Sequence, residues 1–267
     1  MKLAITGKGG VGKTTVSSLL ARVFAAEGRT VLAIDANPDA NLAAALGIPQ
    51  DEASRIVPIA EMKELIEERT GAKPGTFGGY FKVNPRVDDI PERFAARVDN
   101  VRLIVMGTVK KGGAGCVCPE SAVLRSLVSH LFLGRSDVVI MDMDAGVEHL
   151  GRGTARGIDA FIAVVEPGQR SIQTAHAVRR LARDLGVDRF YVVGSKVRNE
   201  ADREFIARSM SGSRVIGFIS YHPEVAEADR QGKGVYDAAP AAVEEVKKIK
   251  ENLERIYGEA HVEKKDG

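Results

Sequence analysis

The segment Gly7-Lys8-Gly9-Gly10-Val11-Gly12-Lys13-Thr14 constrains the fold of this chain more than any other. It has the spacing G-x-x-x-x-G-K-[ST], and its flanks are those such a loop requires. An apolar run, Lys2–Thr6, reads as a strand that ends where the loop begins. Val16, Leu19, Leu20, Val23 and Phe24 form an apolar stripe at helical spacing just after it. Strand, glycine loop and helix in this order aim backbone N–H groups and the positive end of a helix at one point. A phosphate chain is the ligand that suits such a point. Gly9, Gly10, Val11, Gly12 and Thr15 are expected to line it. Lys13 is expected to reach the β- and γ-phosphates, and the Thr14 hydroxyl to ligate Mg²⁺.

The rest of the chain repeats the same alternation. Strand candidates are Lys2–Thr6, Thr30–Asp35, Val101–Gly107, Asp137–Met143, Ala160–Glu166, Phe190–Lys196 and Val215–Ser220. Several are continuously apolar, as in Val138-Val139-Ile140-Met141, which predicts strands buried on both faces. Helical patterns lie between them, including Ser171–Leu185 and Val243–Ile256. The prediction is one doubly wound α/β domain over residues 1–267, with a mostly parallel sheet. Pro49–Asn100 is the least strand-like stretch. It reads as an insertion holding a helical piece near Ile59–Arg69. The helix near Ala241–Tyr257 lacks large aromatic anchors, so it is expected to pack on the sheet and not on a membrane.

Composition excludes other classes. With 44% hydrophobic and 28% charged residues, the chain is not disordered. A formal charge of +2 predicts no nucleic-acid or membrane partner from bulk electrostatics. Met1–Thr6 leads straight into the loop, so no leader is expected, and the apolar runs are too short to cross a bilayer. The expected compartment is the cytoplasm.

The two cysteines of the chain, Cys116 and Cys118, stand in Lys110-Lys111-Gly112-Gly113-Ala114-Gly115-Cys116-Val117-Cys118-Pro119-Glu120. A disulfide at this spacing would be strained. Two thiolates are half of a tetrahedral ligand set, and a two-fold dimer would supply four. Such a site suits Zn²⁺ or Ni²⁺. His130 or His149 could instead complete a site in one chain. Spacing alone leaves a metal site and a pair of packed, inert thiols equally open.

Acidic residues follow two strands. Asp142 ends an apolar run and can hold a Mg²⁺-bound water, and Asp35 opens Asp35-Ala36-Asn37-Pro38-Asp39-Ala40-Asn41. On the base side, Ser195-Lys196-Val197-Arg198 lacks the aspartate that a guanine site uses, which favours adenine.

Lys8–Thr14 resembles the deviant Walker A loop of the ParA/MinD-type P-loop ATPases. The resemblance implies an ATP-sandwiched homodimer in which Lys8 reaches the partner's nucleotide in trans. It also implies that Asp35–Asn41 and Asp142–His149 are switch segments, and that Lys196 and Pro223 lie near the base. The family's usual catalytic aspartate falls at Asn37 here, so Asp39 is the expected residue for orienting water. Ser195 replaces the family's usual Asn. Over nearly its whole length, with Lys110–Glu120, Asp142–Gly153 and Lys196–Asn199, the chain is similar to CooC-type accessory proteins. That family is implied to hydrolyse ATP and to help insert nickel into carbon monoxide dehydrogenase, with the CxC pair as a metal site at the dimer interface. A sister group that matures acetyl-CoA synthase shares both features. A positioning ATPase without a metal role, and an iron–sulfur reductase, are the rival readings.

Overall fold

A computed structural model describes residues 1–75, 80–108, 118–133, 138–144, 155 and 157–263. Among the described residues, eight strands form one sheet: β1 Lys2–Thr6, β2 Val31–Asp35, β3 Ala96–Val98, β4 Val101–Val105, β5 Val138–Asp142, β6 Ala160–Val165, β7 Phe190–Val197 and β8 Arg214–Ser220. Their spatial order is β3-β4-β2-β5-β1-β6-β7-β8. Every pairing is parallel except that of β3 with β4. The chain is therefore an α/β protein with a mostly parallel sheet.

The side-chain period of two sends each central strand into both cores. Leu3 and Ile5, Val31 and Ala33, Val138 and Ile140, and Ile162 and Val164 face one layer. Ala4, Leu32 and Ile34, Val139 and Met141, and Phe161 and Ala163 face the other. Helix α1, Lys13–Ala26, covers the first layer with Leu19, Leu20 and Phe24. The terminal helix Pro240–Glu263 covers it too, with Val243, Val246, Ile249, Leu253 and Ile256. It lies so close that a Cβ on Gly217 would meet Ile249 Cγ1 at 2.4 Å. Helices Pro119–Leu133 and Gln169–Asp184 cover the second layer.

The stretch Pro49–Asn100 holds short helices, Gln50–Ala53, Lys63–Thr70 and Ile90–Phe94, and a 3₁₀ turn at Ile59–Glu61. Ile59, Leu65, Ile66, Val87 and Ile90 are buried in the second core. Its end also forms strand β3, which the apolar pattern does not announce. Two half-buried residues around an exposed Arg97 at a sheet edge leave no apolar run to read. Among the described residues, no helix is long and apolar enough to cross a membrane.

Candidate nucleotide site

The phosphate loop joins β1 to α1 at the carboxyl edge of the sheet, where ligands of doubly wound folds bind. Two of its glycines are steric necessities. A Cβ on Gly7, at φ +145, would sit 2.4 Å from the Val164 carbonyl oxygen. Gly12 adopts φ +97, and a Cβ there would meet Ser195 Oγ at 3.1 Å. Ser195 thus backs the loop from β7. The first turn of α1 carries no acidic side chain, so its N–H groups remain for an anion. Lys13 is only 8% exposed. Its Nζ donates to Lys8 O at 3.3 Å and lies 3.6 Å from Asp144 Oδ1.

Behind the loop stands a buried pair of carboxylates. Asp35 and Asp142 end neighbouring strands in direct register, and both are 0% exposed. Asp142 Oδ2 accepts from Thr14 Oγ1 at 2.7 Å and from Asn37 Nδ2 at 2.8 Å, and Oδ1 accepts from Ser17 Oγ at 3.2 Å. Asp35 accepts from the Leu42 N–H at 2.9 Å and the Asn37 N–H at 3.1 Å. Burial pushes the Asp142 carboxyl up to about 7, and the charge of Asp35 adds to the rise. Burial also raises Asp35. Asn37 is the amide donor that joins the two acids, so the position expected to carry an aspartate holds a group that cannot take up a proton. Asp39 is exposed on the following loop and takes no part in these bonds.

Lys8 faces its own chain. Its Nζ lies 3.5 Å from Glu166 Oε1, while Lys196 Nζ lies 3.9 Å from Glu166 Oε2 and donates to Gly10 O at 2.5 Å. Lys196 adopts φ +57, an uncommon conformation for a side-chain-bearing residue, and in doing so delivers its ammonium to the loop. Glu166-Pro167 is part of the resemblance to the CooC-type proteins, but sequence reasoning gave Glu166 no role. The available signal was an acid directly after an apolar strand, Val164-Val165-Glu166, the same position that marks Asp142.

Between the ends of β7 and β8 lies a cavity of about 470 Å³, lined by Val197, Arg198, Asn199, Glu200, Arg203, Ser220 and Tyr221. The Arg198 guanidinium lies 4.7 Å from the centre of the Tyr221 ring. Pro223 opens helix Pro223–Arg230 just beyond it.

Cys116 and His149 lie outside the described residues. Cys118 is buried, at the start of helix Pro119–Leu133, and its thiol donates to Ser121 Oγ at 3.1 Å. His130 belongs to the last turn of the same helix. Among the described residues, no cluster of three or more His, Cys, Asp or Glu could hold a metal ion. The chain leaves β4 towards the cysteines through Met106, whose N–H donates to Asp35 O at 2.8 Å.

A glycine loop between a parallel strand and a helix, facing a buried aspartate on an adjacent strand, defines a P-loop nucleotide-binding protein. The chain belongs to the CobQ/CobB/MinD/ParA nucleotide-binding domain family, whose model matches residues 2–235, and it is an ATPase. It is 46% identical to the carbon monoxide dehydrogenase accessory protein CooC of Rhodospirillum rubrum, over 90% of this chain and 91% of that one. It is also 46% identical to an uncharacterized ATP-binding protein of Methanocaldococcus jannaschii, over 93% and 96%. The MinC:MinD cell division protein complex of Aquifex aeolicus shares the fold, with a TM-score of 0.67 at 21% identity and coverage of 97% and 96%.

Proposed function

We propose that this chain is an ATP-driven metallochaperone, a single ATPase unit with an insertion at about 49–100, that delivers nickel to the active cluster of carbon monoxide dehydrogenase. Identity to CooC along nearly the whole chain supports the client. The observation that carries the coupling is the bond from Met106 N–H to Asp35 O. It ties the backbone at the end of β4, which leads on to the two cysteines, to the backbone of Asp35, one of the acidic pair behind the phosphate loop. In this reading a shift of the Asp35 backbone on nucleotide binding is passed to the strand end that leads to Cys116 and Cys118.

In this reading Gly9, Gly10, Val11, Gly12, Lys13, Thr14 and Thr15 bind the phosphates, and Lys196, Arg198, Tyr221 and Pro223 surround the adenine. Thr14 and Asp142 fit Mg²⁺. Both offer hard oxygens, and Asp142 is a buried acid held so far only by neutral donors. When bound, Mg²⁺ neutralises charge on the β- and γ-phosphates. Asp39 orients the attacking water. Lys8 leaves Glu166 and crosses to the nucleotide of a second copy, so that ATP closes a homodimer. The same closure unites two CxC pairs around one Ni²⁺ or Zn²⁺ cargo ion. For this, the Cys118 thiol gives up Ser121 and becomes accessible.

The test is a titration of Ni²⁺ or Zn²⁺ with and without ATP, on the parent chain and Cys116→Ala. One metal per two chains in the ATP state is expected of the parent, with loss in the variant. Tight binding by monomeric Cys116→Ala overturns the shared site. A dimer that binds DNA or anionic vesicles and ignores metal points to a positioning ATPase instead.

A further inference from the structure

The terminal helix carries a carboxylate that its packing does not require. Val243, Val246, Ile249 and Leu253 already fix this helix on the sheet. Asn252 Nδ2 adds a bond to Ile216 O at 2.9 Å. Glu245 lies on the same helix and reaches to the end of β8. Its Oε2 accepts from the Ser220 N–H at 2.8 Å and from His222 Nε2 at 2.9 Å, and Oε1 accepts from Ser220 Oγ at 2.7 Å. Both oxygens are thus spent on the two residues that flank Tyr221.

Tyr221 is held a third way, because its own N–H donates to Val197 O at 2.9 Å. The result is a tyrosine with a fixed backbone and a half-exposed ring at the wall of the cavity. Its ring meets Arg198, whose N–H is in turn fixed by Asp202 Oδ2 at 2.8 Å. A ring and a guanidinium prepared in this way form a flat surface for a planar base. His222 is also the residue from which helix Pro223–Arg230 starts.

We propose that Glu245 is a positioning residue for base recognition: through Ser220 and His222 it sets the Arg198–Tyr221 surface against which the adenine of ATP lies. This rests on the reading that the base occupies the cavity between β7 and β8. A carboxylate that merely staples helix to strand would serve stability alone. A positioning carboxylate serves the base and leaves the phosphates indifferent.

The two roles separate in a binding experiment with ATP and with tripolyphosphate, which has no base. Glu245→Ala is expected to weaken ATP about tenfold, as loss of a charge-assisted hydrogen-bond set does, and to leave tripolyphosphate unchanged. Glu245→Gln keeps one acceptor oxygen and is expected to recover part of the loss. Unfolding is followed in parallel, so that loss of folded protein is not read as loss of affinity. If Glu245→Ala does not fold, His222→Phe removes one donor only and is expected to weaken ATP selectively by a smaller factor. Equal weakening of both ligands, or of neither, overturns the proposal. A parent chain that binds ATP no tighter than tripolyphosphate overturns the base-cavity reading itself, a result visible before any variant is made.

Discussion

Asp142 is the residue whose replacement tests the electrostatics of the site most directly. It is fully buried beside Asp35 and raised from 3.8 to about 7. The folded chain therefore holds a proton at Asp142 that the unfolded chain has already lost. Stability falls as pH rises from about 4 to about 7, and the loss is complete above that. The shift corresponds to about 4 kcal/mol for this one group, shared in practice with Asp35. Asparagine removes the charge and keeps the shape. Its oxygen can still accept from Thr14 and Asn37, and its amide can donate to Ser17 Oγ. Asp142→Asn is thus expected to stabilise the nucleotide-free fold by about 2 kcal/mol at pH 8, half the full figure after relaxation of the buried site. The gap should narrow towards pH 4. Urea unfolding in EDTA, at pH 5 and pH 8 with unchanged m-values, measures it. The same variant should lose ATP turnover. A variant less stable than the parent at pH 8, or a gap that ignores pH, would refute the account of Asp142 as a stored charge.

Two further outcomes follow from the same contacts. Asn37→Asp places a third carboxylate within reach of Asp35 and Asp142, and should cost about 1–3 kcal/mol of stability at pH 8. Thermal unfolding across pH checks this, with the deficit shrinking in acid. Lys8→Ala should still bind ATP, since Lys13 stays in the loop, while ATP-dependent dimerisation and turnover fall. Light scattering and phosphate release measure the two effects, and unchanged turnover counts against a role in trans.

What could be read from the chain divides along the range of the interactions. The phosphate loop is contiguous, and its requirement for glycine is local, so it was legible in full. Seven of the strands were legible, the central β2, β5 and β6 most plainly, because burial on both faces writes itself as an unbroken apolar run. Strand β3 lies at an edge with three residues, and its pairing with β4 leaves no such mark. The carboxyl groups of Asp35 and Asp142 were legible one at a time, as acids that end strands. That they stand side by side is a matter of register between β2 and β5, which no local pattern carries. The contacts of Glu166 and Glu245 span long stretches of chain and were silent for the same reason.

Asn37 shows how the two ranges interact. Against the family's pattern it is the loss of an acid. In the fold it is the donor that two buried carboxylates in register demand, its side-chain amide giving one bond to each. A carboxylate there would face two others already raised by burial. The substitution is therefore coherent with its surroundings, and an amide has no basic oxygen with which to accept a proton at neutral pH. Any proton that the attacking water gives up must go elsewhere: to Asp39 on the exposed loop, to the phosphate itself, or to a group brought by the second copy. Comparing the solvent isotope effect and pH profile of Asp39→Asn with those of the parent chain separates the first of these from the others. Turnover that falls with its pH dependence altered places the proton on Asp39, and an unaltered profile removes Asp39 from the chemistry.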